Sequence, residues 1–362
     1  MRAARLYAAG DIRVEEVETP STPLSGWVRL RVTAAGICGS DIHNFRTGQW
    51  ISRSPSVPGH EFAGVVLECG EGVGAFAPGD TVVADSRFWC GECSACMAGR
   101  ANVCNSLGFV GEVCDGGFAE FACLPERLLV KHEPSLDPAI AAMAEPLAVA
   151  LHAVKRLAVP SGEAVLVAGC GPIGGLAALV LSKMGIDVLV ADRNAARALL
   201  VAEVTGVQVV NIEDADVRYA LDATGNIHVI KQLIDRLDGG GSLVIAGISH
   251  GEIALDPNIL VERELSLIGC HAYCDELPEA VAMLPGFAPQ LARFIDREIT
   301  IDGIPHAYQR LLAGDAKGIE NHHPDGLTHR AKRPIVLARN DGRMPWRERC
   351  GPFSRASGTK AM

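Results

Sequence analysis

The chain has 362 residues, of which 48% are hydrophobic and 21% are charged, and its formal net charge is −10. This length is sufficient for two folded domains, and the negative charge argues against nucleic acid as a partner. No run of 18 or more apolar residues occurs, so we expect no membrane span. The N-terminus soon turns acidic and is not typical of a signal peptide. We therefore expect a cytoplasmic protein, whose twelve cysteines are metal ligands or buried thiols rather than disulfides.

The first third of the chain has the pattern of a β-rich domain. Several short segments alternate apolar and polar residues or are rich in β-branched residues, and turn signals separate them. The predicted strands are 12–15, 27–32, 62–67 and 80–84, with a further strand at 115–121. An alanine- and leucine-rich stretch from Pro138 to Leu157 predicts a helix.

The segment between the second and third of these strands contains three potential metal ligands, Cys38, His60 and Glu61. Thiolate, imidazole and carboxylate are the ligand types of a catalytic zinc, which takes three protein ligands and keeps one position open. Cys38 lies between Gly36 and Gly39, where the backbone can turn tightly. By itself, this pattern is also compatible with a buried cysteine and a surface histidine.

A second group of potential ligands follows at Cys90, Cys93, Cys96 and Cys104. Four closely spaced cysteines suit a closed, tetrahedral structural zinc site. An iron–sulfur cluster is an alternative, although its cysteine run usually ends in Cys-Pro and here Asn105 follows. Disulfides are a third possibility, which the expected reducing compartment disfavours.

The middle of the chain has the pattern of a dinucleotide-binding unit. A buried-strand run, 164–168, leads into the glycines Gly169, Gly171 and Gly174, and a helix is predicted from there to Met184. Such glycines let the backbone approach a pyrophosphate at the helix N-terminus. Asp192, at the end of the next predicted strand, has the position of the carboxylate that binds the ribose hydroxyls. A glycine turn without a cofactor is the alternative.

The units that follow depart from this pattern. Strands are predicted at 207–210 and 218–223, and only seven residues, 211–217, connect them. Seven extended residues reach about 23 Å, and crossing three strand spacings takes about 14 Å. The crossover can therefore close without a helix. A helix at 227–237 and strands at 242–246 and 265–269 complete the predicted sheet.

The segment 36–43, the Gly59-His60-Glu61 triplet, the four-cysteine group and the 169–174 motif together resemble the zinc-dependent medium-chain alcohol and polyol dehydrogenases, over about residues 1–316. The most similar branch contains the sorbitol, L-idonate and 2,3-butanediol dehydrogenases. The resemblance implies an α/β protein with a distorted β-rich (GroES-like) catalytic domain and a Rossmann domain with a doubly wound parallel sheet. It places the catalytic domain at 1–158 and 277–338 and the Rossmann domain at 159–276. It also implies a homotetramer or homodimer and NAD(P)-linked alcohol oxidation.

The resemblance also assigns roles to individual residues. Cys38, His60 and Glu61 match ligands of the catalytic zinc, and Glu145 matches a glutamate that contacts the metal or its water. Ser40 matches the hydroxyl beside the substrate oxygen, and His43 matches the outward proton acceptor. The implied contacts to NAD are Gly169, Gly171, Pro172, Ile173, Gly174, Asp192, Arg193 and Arg197, with 270–272 near the nicotinamide. Asp192 favours NAD over NADP because it would repel a 2′-phosphate, whereas Arg193 beside it is a mild counter-argument.

The substrate is predicted only as a class. Polyol and L-idonate dehydrogenases carry an arginine in the loop at 270–274, where this chain has Ala272. We therefore expect a small-molecule substrate, either a polyol or a small secondary alcohol. Two alternatives remain, an L-threonine 3-dehydrogenase and a non-catalytic zinc protein that has kept the fold.

The C-terminus departs from the family after about Gly318. Relatives typically end with a strand similar to Lys-Thr-Ile-Ile-Arg. Codons for Glu320 to Pro324, shifted by one base, can encode Lys-Thr-Ile-Ile, so we hypothesise a frameshift near Glu320. Residues 339–362 are then expected to form a disordered tail, and the segment from Pro334 to Ala338 could substitute as an edge strand.

Overall fold

The computed structural model of the chain describes residues 1–21, 23–313 and 335–339. It contains two large sheets and two small two-stranded ones. The strands are β1 (Arg2–Ala8), β2 (Asp11–Glu16), β3 (Trp27–Gly36), β4 (Glu61–Cys69), β5 (Thr81–Ala84), β6 (Arg87–Phe88), β7 (Gly108–Phe109), β8 (Phe121–Pro125), β9 (Leu129–Lys131), β10 (Ala164–Ala168), β11 (Asp187–Ala191), β12 (Gln208–Val209), β13 (Val217–Asp222), β14 (Leu237–Ile245), β15 (Ser266–Gly269), β16 (Ile295–Thr300) and β17 (Ile335–Arg339).

Most of the helices among the described residues follow the β-rich first part of the chain. They are α1 (Gly39–Thr47), α2 (Ser94–Met97), α3 (Pro138–Ala141), α4 (Ala144–Leu157), α5 (Pro172–Lys183), α6 (Ala195–Thr205), α7 (Ile227–Arg236), α8 (Pro257–Arg263), α9 (Leu277–Phe294) and α10 (Ile304–Leu312). Short 3-10 segments occur at Ala101–Val103, Glu126–Leu128, Ile212–Asp214 and Ile301–Gly303.

The first sheet has seven strands and is built around β3. Its order is β16-β17-β3-β4-β5-β9, and β8 pairs with β3 outside this path. The pairing of β3 with β4 is antiparallel and places Gly36 opposite Glu61. Cys38 follows the end of β3 and His60 precedes the start of β4, so this register brings the two predicted metal ligands to the same end of the sheet.

The second sheet is parallel and has the order β12-β11-β10-β13-β14-β15. The chain moves outward from β10 to β12 and then crosses to β13 on the other side of β10, which is the doubly wound arrangement predicted from the sequence. The crossover from β12 to β13 spans three strand spacings with only the 3-10 segment Ile212–Asp214, as the seven-residue connection predicted. The fold class is therefore confirmed.

Helices α4 and α9 connect the two sheets. Both contribute to one hydrophobic core together with strands β10 and β11 and helix α5, and that core also contains Ala34, Ala63 and Val83 from the first sheet. A second core fills the β-rich part, and a third lies on the other face of the parallel sheet. Alanines on α4, such as Ala148 and Ala153, are fully buried, and their small side chains let neighbouring elements approach closely.

Several predicted element boundaries were wrong. Residues 115–120 are not a strand, and β8 begins only at Phe121. The helix predicted from Pro138 to Leu157 is two helices, α3 and α4, because Ala142 and Met143 interrupt it. The segment 335–339 is not an edge strand but lies between β16 and β3.

The frameshift near Glu320 and the expected tail, apart from its first residue at 339, lie outside the described residues. Among the residues that the structure covers, no helix is both long enough and apolar enough to span a bilayer.

Candidate metal and cofactor sites

Cys38, His60 and Glu61 converge at the end of β3 and the start of β4. One ligand atom from each lies within 4.8 Å of the other two. The Glu61 carboxylate occupies the space that a side chain at Gly36 would fill, which explains a glycine on the opposite strand. Gly59, with φ of 91°, makes the turn into His60, and a Cβ there would lie 2.8 Å from the ring of Phe118.

Asp41 orients this group from behind. Its Oδ2 accepts a 3.0 Å hydrogen bond from the Cys38 N–H, and its Oδ1 lies 3.7 Å from His60 Nδ1. A carboxylate on one ring nitrogen leaves Nε2 available as the ligand atom, which is the usual arrangement around a metal-binding histidine. Asp41 was not among the site residues predicted from the sequence, although its position in the first turn of α1, three residues after Cys38, was an available signal.

Glu61 is buried, Cys38 and His60 are half-buried, and the acid–base properties of the three side chains fit a bound cation. Burial raises the pKa of the Cys38 thiol to about 11 and also raises the pKa of Glu61, to which the nearby Cys38 and Glu145 add. Burial alone would lower the pKa of His60, but Asp41 and Glu145 outweigh it and raise the value to about 9. A divalent cation would supply the positive charge that stabilises deprotonated donors here. The thiolate–imidazole–carboxylate set therefore fits zinc.

Glu145 lies beside this group but is not one of the three converging ligands. Its Oε1 accepts a 2.7 Å hydrogen bond from the Ser86 hydroxyl, which in turn lies 3.3 Å from the Tyr273 hydroxyl. Tyr273 is fully buried and donates to Asp85 at 3.0 Å, and Asp85 forms an ion pair with Arg87. This chain of buried polar groups fixes one carboxylate oxygen of Glu145. Direct ligation of zinc by Glu145 stays a prediction.

Cysteines of the segment between β6 and β7, called the lobe below, form a compact sulfur cluster; they are Cys90, Cys93, Cys96 and Cys104. All four sulfurs lie within 4.8 Å of one another, and Cys104 Sγ is 3.5 Å from Cys90 Sγ and 3.9 Å from Cys93 Sγ. A tetrahedron with metal–sulfur bonds of about 2.3 Å has edges of about 3.8 Å, whereas a disulfide requires about 2.05 Å. Backbone N–H groups of Asn105 and Cys96 lower the pKa of the Cys93 thiol to about 6, which favours a thiolate. The cluster fits a single structural zinc and not disulfides.

The predicted proton-relay residues lie on α1. Ser40 Oγ is 3.5 Å from His60 Nε2, and His43 lies one turn further on. His43 is buried, not a surface histidine, and its Nε2 is 3.0 Å from the Gln49 side-chain oxygen. Its ring stacks on His250, which follows β14, with 4.4 Å between ring centroids and 15° between planes. No local sequence pattern predicts this contact, because His43 lies on α1 and His250 lies in the loop after β14, far apart in the chain.

The glycine motif adopts the geometry of a pyrophosphate-binding turn. Gly169, with φ of 96°, ends β10, and its carbonyl oxygen packs so closely on Gly174 that no side chain fits there. Gly171 caps α5 and faces open space. Asp192 follows β11 and accepts hydrogen bonds from the N–H of Cys170 at 2.6 Å and of Asn194 at 2.7 Å. Pro172 and Ile173 form the first turn of α5, the side of the motif that a pyrophosphate would approach.

Two family models match the chain in succession. Residues 24–134 match the alcohol dehydrogenase GroES-like domain, and residues 172–285 match the zinc-binding dehydrogenase domain. The chain belongs to the zinc-dependent medium-chain alcohol and polyol dehydrogenases. It is therefore a zinc-binding, nicotinamide-dependent oxidoreductase that acts on alcohol groups.

Three relatives illustrate the range of this dehydrogenase family. The chain is 30% identical to a sorbitol dehydrogenase from Halalkalibacterium halodurans, with 86% of the chain and 95% of the relative covered. It is 34% identical to a 2-dehydro-3-deoxy-L-galactonate 5-dehydrogenase from Pseudoalteromonas atlantica, covering 82% and 91%. It is 32% identical to an L-threonine 3-dehydrogenase from Rhizobium johnstonii, covering 80% and 89%.

Two similar solved dehydrogenase structures contain different nicotinamide cofactors. A zinc-binding dehydrogenase from Sinorhizobium meliloti bound to NADP is 29% identical, with a TM-score of 0.83 and coverage of 94% of this chain and 99% of that one. An Escherichia coli alcohol dehydrogenase in complex with NADH is 26% identical, with the same TM-score and coverage.

Proposed function

We propose that this dehydrogenase oxidises a polyol or a small secondary alcohol with NAD, at a zinc held by Cys38, His60 and Glu61. The convergence of these three donors within 4.8 Å, beside the Rossmann sheet, carries the proposal. A zinc held by these donors would supply Lewis-acid stabilisation of the deprotonated substrate hydroxyl, and NAD would supply the hydride acceptor.

The remaining roles follow from the positions of the polar side chains. Asp41 holds the His60 ring so that Nε2 faces the metal. The Ser40 hydroxyl, 3.5 Å from that nitrogen, lies where it can take the proton from the substrate oxygen. His43 shares a face of α1 with Ser40 and accepts the proton from it through a ring nitrogen.

We propose NAD as the preferred cofactor. Asp192 lies at the end of β11, where its carboxylate would accept hydrogen bonds from the ribose hydroxyls and repel a 2′-phosphate. Arg193, just before α6, is exposed, and Arg197, in the first turn of α6, is half-buried. Among the described side chains, no ion pair holds either cation against Asp192. The ratio of kcat/KM for NAD to that for NADP tests this choice, and a ratio of one or less contradicts it.

We also propose a cytoplasmic homodimer or homotetramer. Four thiols with a structural metal require a reducing compartment. Strand β15 is an edge of the parallel sheet, and the neighbouring α8 exposes 73% of Val261. An open edge beside an apolar side chain is a surface that a second copy can cover. The mass of the particle in solution tests this proposal, and a monomer at micromolar concentration contradicts it.

The experiment that tests the function is a substrate panel. NADH formation is measured with sorbitol, butane-2,3-diol, butan-2-ol and L-threonine, before and after removal and restoration of zinc. We expect zinc-dependent turnover of the polyol or the secondary alcohols. Preferential turnover of L-threonine would favour the second candidate, which the 32% identical L-threonine 3-dehydrogenase supports. No turnover of any compound by the zinc-loaded protein would favour a non-catalytic zinc protein.

A further inference from the structure

The turn that follows β7 lies between the predicted catalytic metal site and the predicted nicotinamide position. Val110 forms an isolated bridge with Cys114, and the Gly111 N–H donates to the Cys114 carbonyl at 2.9 Å. The N–H of Glu112 donates to the Phe109 carbonyl at 3.0 Å. These bonds fix the backbone of a tight turn with Glu112 at its tip.

One side of this turn packs against the metal-ligand segment. A Cβ on Gly111 would lie 3.1 Å from the Cα of Pro58 and 3.3 Å from the nitrogen of Gly59. Those two residues directly precede His60, so the backbone of the turn packs against the segment that leads into this metal ligand. The Glu112 carbonyl also accepts a 3.0 Å hydrogen bond from Ser52.

The other side of the turn faces the Rossmann sheet. The ring of Phe109 meets His271 edge to face, with 5.9 Å between centroids. His271 comes just after β15, in the segment predicted to lie near the nicotinamide. Glu112 is therefore placed where the metal ligands and the predicted nicotinamide position approach each other.

The Glu112 carboxylate has unused acceptor capacity. It is half-buried, and no side-chain hydrogen bond or ion pair to it is found among the described residues. Its charge interacts with His60 and Asp41, and burial is the main cause that raises its pKa to about 7. It is not one of the three converging metal donors. A partly desolvated acceptor without a partner favours a ligand that brings a hydrogen-bond donor.

We propose that Glu112 is a specificity-determining residue, whose carboxylate accepts a hydrogen bond from a donor on the carbon next to the reacting carbinol. The inference rests on the proposed function, because it concerns the substrate of that site. The donor is a hydroxyl, as in a vicinal diol or polyol, or an ammonium group, as in an amino alcohol. The charge of a zinc held by Cys38, His60 and Glu61 would be balanced by the thiolate and the carboxylate among those donors. Glu112, Asp41 and Glu145 remain as acidic groups that repel a substrate carboxylate at this position.

The nearby cations do not offset this repulsion. Arg87 is engaged with Asp85 and with the carbonyl groups of Tyr273 and Cys274. Position 272, where polyol and L-idonate dehydrogenases carry an arginine, is Ala272 here. The site thus selects neutral or cationic alcohols over sugar acids.

The test compares two alcohols that differ by one hydroxyl, butane-2,3-diol and butan-2-ol, with the zinc-loaded enzyme. In Glu112→Leu, we expect the ratio of kcat/KM for the diol to that for butan-2-ol to fall about tenfold or more, because a hydrogen bond to a charged group is lost. The zinc content should stay equal to that of the wild type. Glu18→Gln, on an exposed glutamate after β2, is the control and should leave the ratio unchanged.

An amino alcohol distinguishes the two kinds of donor. Glu112→Gln keeps an acceptor oxygen but removes the charge. If kcat/KM falls more for 3-aminobutan-2-ol than for the diol in this variant, ammonium is the preferred donor. A comparable, smaller loss with both identifies the hydroxyl. If the ratio of kcat/KM for the diol to that for butan-2-ol is unchanged in Glu112→Leu, the inference is overturned but the proposed function is not. The loss of one zinc per subunit in this variant has the same consequence, because Glu112 would then be part of the metal site. A wild-type enzyme that oxidises none of sorbitol, butane-2,3-diol and butan-2-ol overturns the proposed function and the inference together.

Discussion

Asp41 is the residue whose contribution to the metal site is most directly testable without removing a ligand. It contacts His60 through one oxygen and the Cys38 N–H through the other. We predict that Asp41→Asn lowers zinc affinity about 10- to 100-fold, as is typical when a carboxylate behind a histidine ligand is lost. Zinc affinity is measured by competition with a chelator. Asp238→Asn, on an exposed residue of β14, is the control, and equal affinity in the two variants would contradict the assigned role.

Glu276 provides a prediction on stability and pH at the same scale. Burial opposes its ionisation, but His152 Nδ1, 2.9 Å away, and the Cys274 N–H outweigh this effect and lower the pKa of Glu276 to about 2. A folded-state pKa below the ordinary 4.5 stabilises the protein above about pH 4.5, and this stabilisation is lost as the pH falls toward 2.

We therefore predict that Glu276→Gln lowers the free energy of unfolding by roughly 3 kcal/mol at pH 7 and by about half as much at pH 3. Urea unfolding of the two proteins across this pH range measures the difference. A difference that does not change with pH would mean that the loss is one of packing and not of charge.

At the scale of elements, the lobe between β6 and β7 depends on its metal. Helix α2 of this lobe has only four residues, and none of them is buried, so the helix gives the lobe no hydrophobic core. We predict that Cys93→Ser binds one zinc fewer per subunit and unfolds at a clearly lower temperature, because structural zinc contributes folding free energy. A variant that keeps two zincs would show that the sulfur cluster is not a zinc site.

Strand β17 gives a second prediction at this scale. It runs parallel to β16 and antiparallel to β3, and Leu337 pairs with Gly36, the residue opposite Glu61. A chain that stops at residue 334 should therefore be less stable than one that stops at residue 339. Several backbone hydrogen bonds are lost, at about 1 kcal/mol net for each. Equal unfolding midpoints for the two truncated chains would contradict a role of β17 in the sheet.

For the whole molecule, the sequence predicted the features that depend on local patterns. The alternating segments predicted the β-rich part, and the glycine motif with Asp192 predicted the strand, turn and helix of a dinucleotide-binding unit. The doubly wound parallel sheet was implied by the resemblance to the dehydrogenase family. The seven-residue connection at 211–217 predicted the crossover without an α-helix, because the argument needed only chain length. Family membership, predicted from the spacing of Cys38, His60 and the lobe cysteines, is confirmed.

The features that were missed depend on contacts between distant segments. Asp85, Tyr273 and Glu145 become neighbours only when a loop of the Rossmann half packs against β5 and β6. His250 stacks on His43 across the same boundary. No local periodicity encodes such contacts. The interior position of β17 was missed for the same reason, since a strand's neighbours are set by the whole sheet and not by its own sequence.

The central claim is that Cys38, His60 and Glu61 hold a zinc that is required for alcohol oxidation, separately from the site that binds NAD. The most direct measurement combines zinc content, NAD affinity and NADH formation in His60→Ala. We predict one zinc per subunit instead of two, NAD affinity within about twofold of the wild type, and no detectable NADH from the substrate that the wild type oxidises. Two zincs per subunit, or near-normal turnover, would contradict the account.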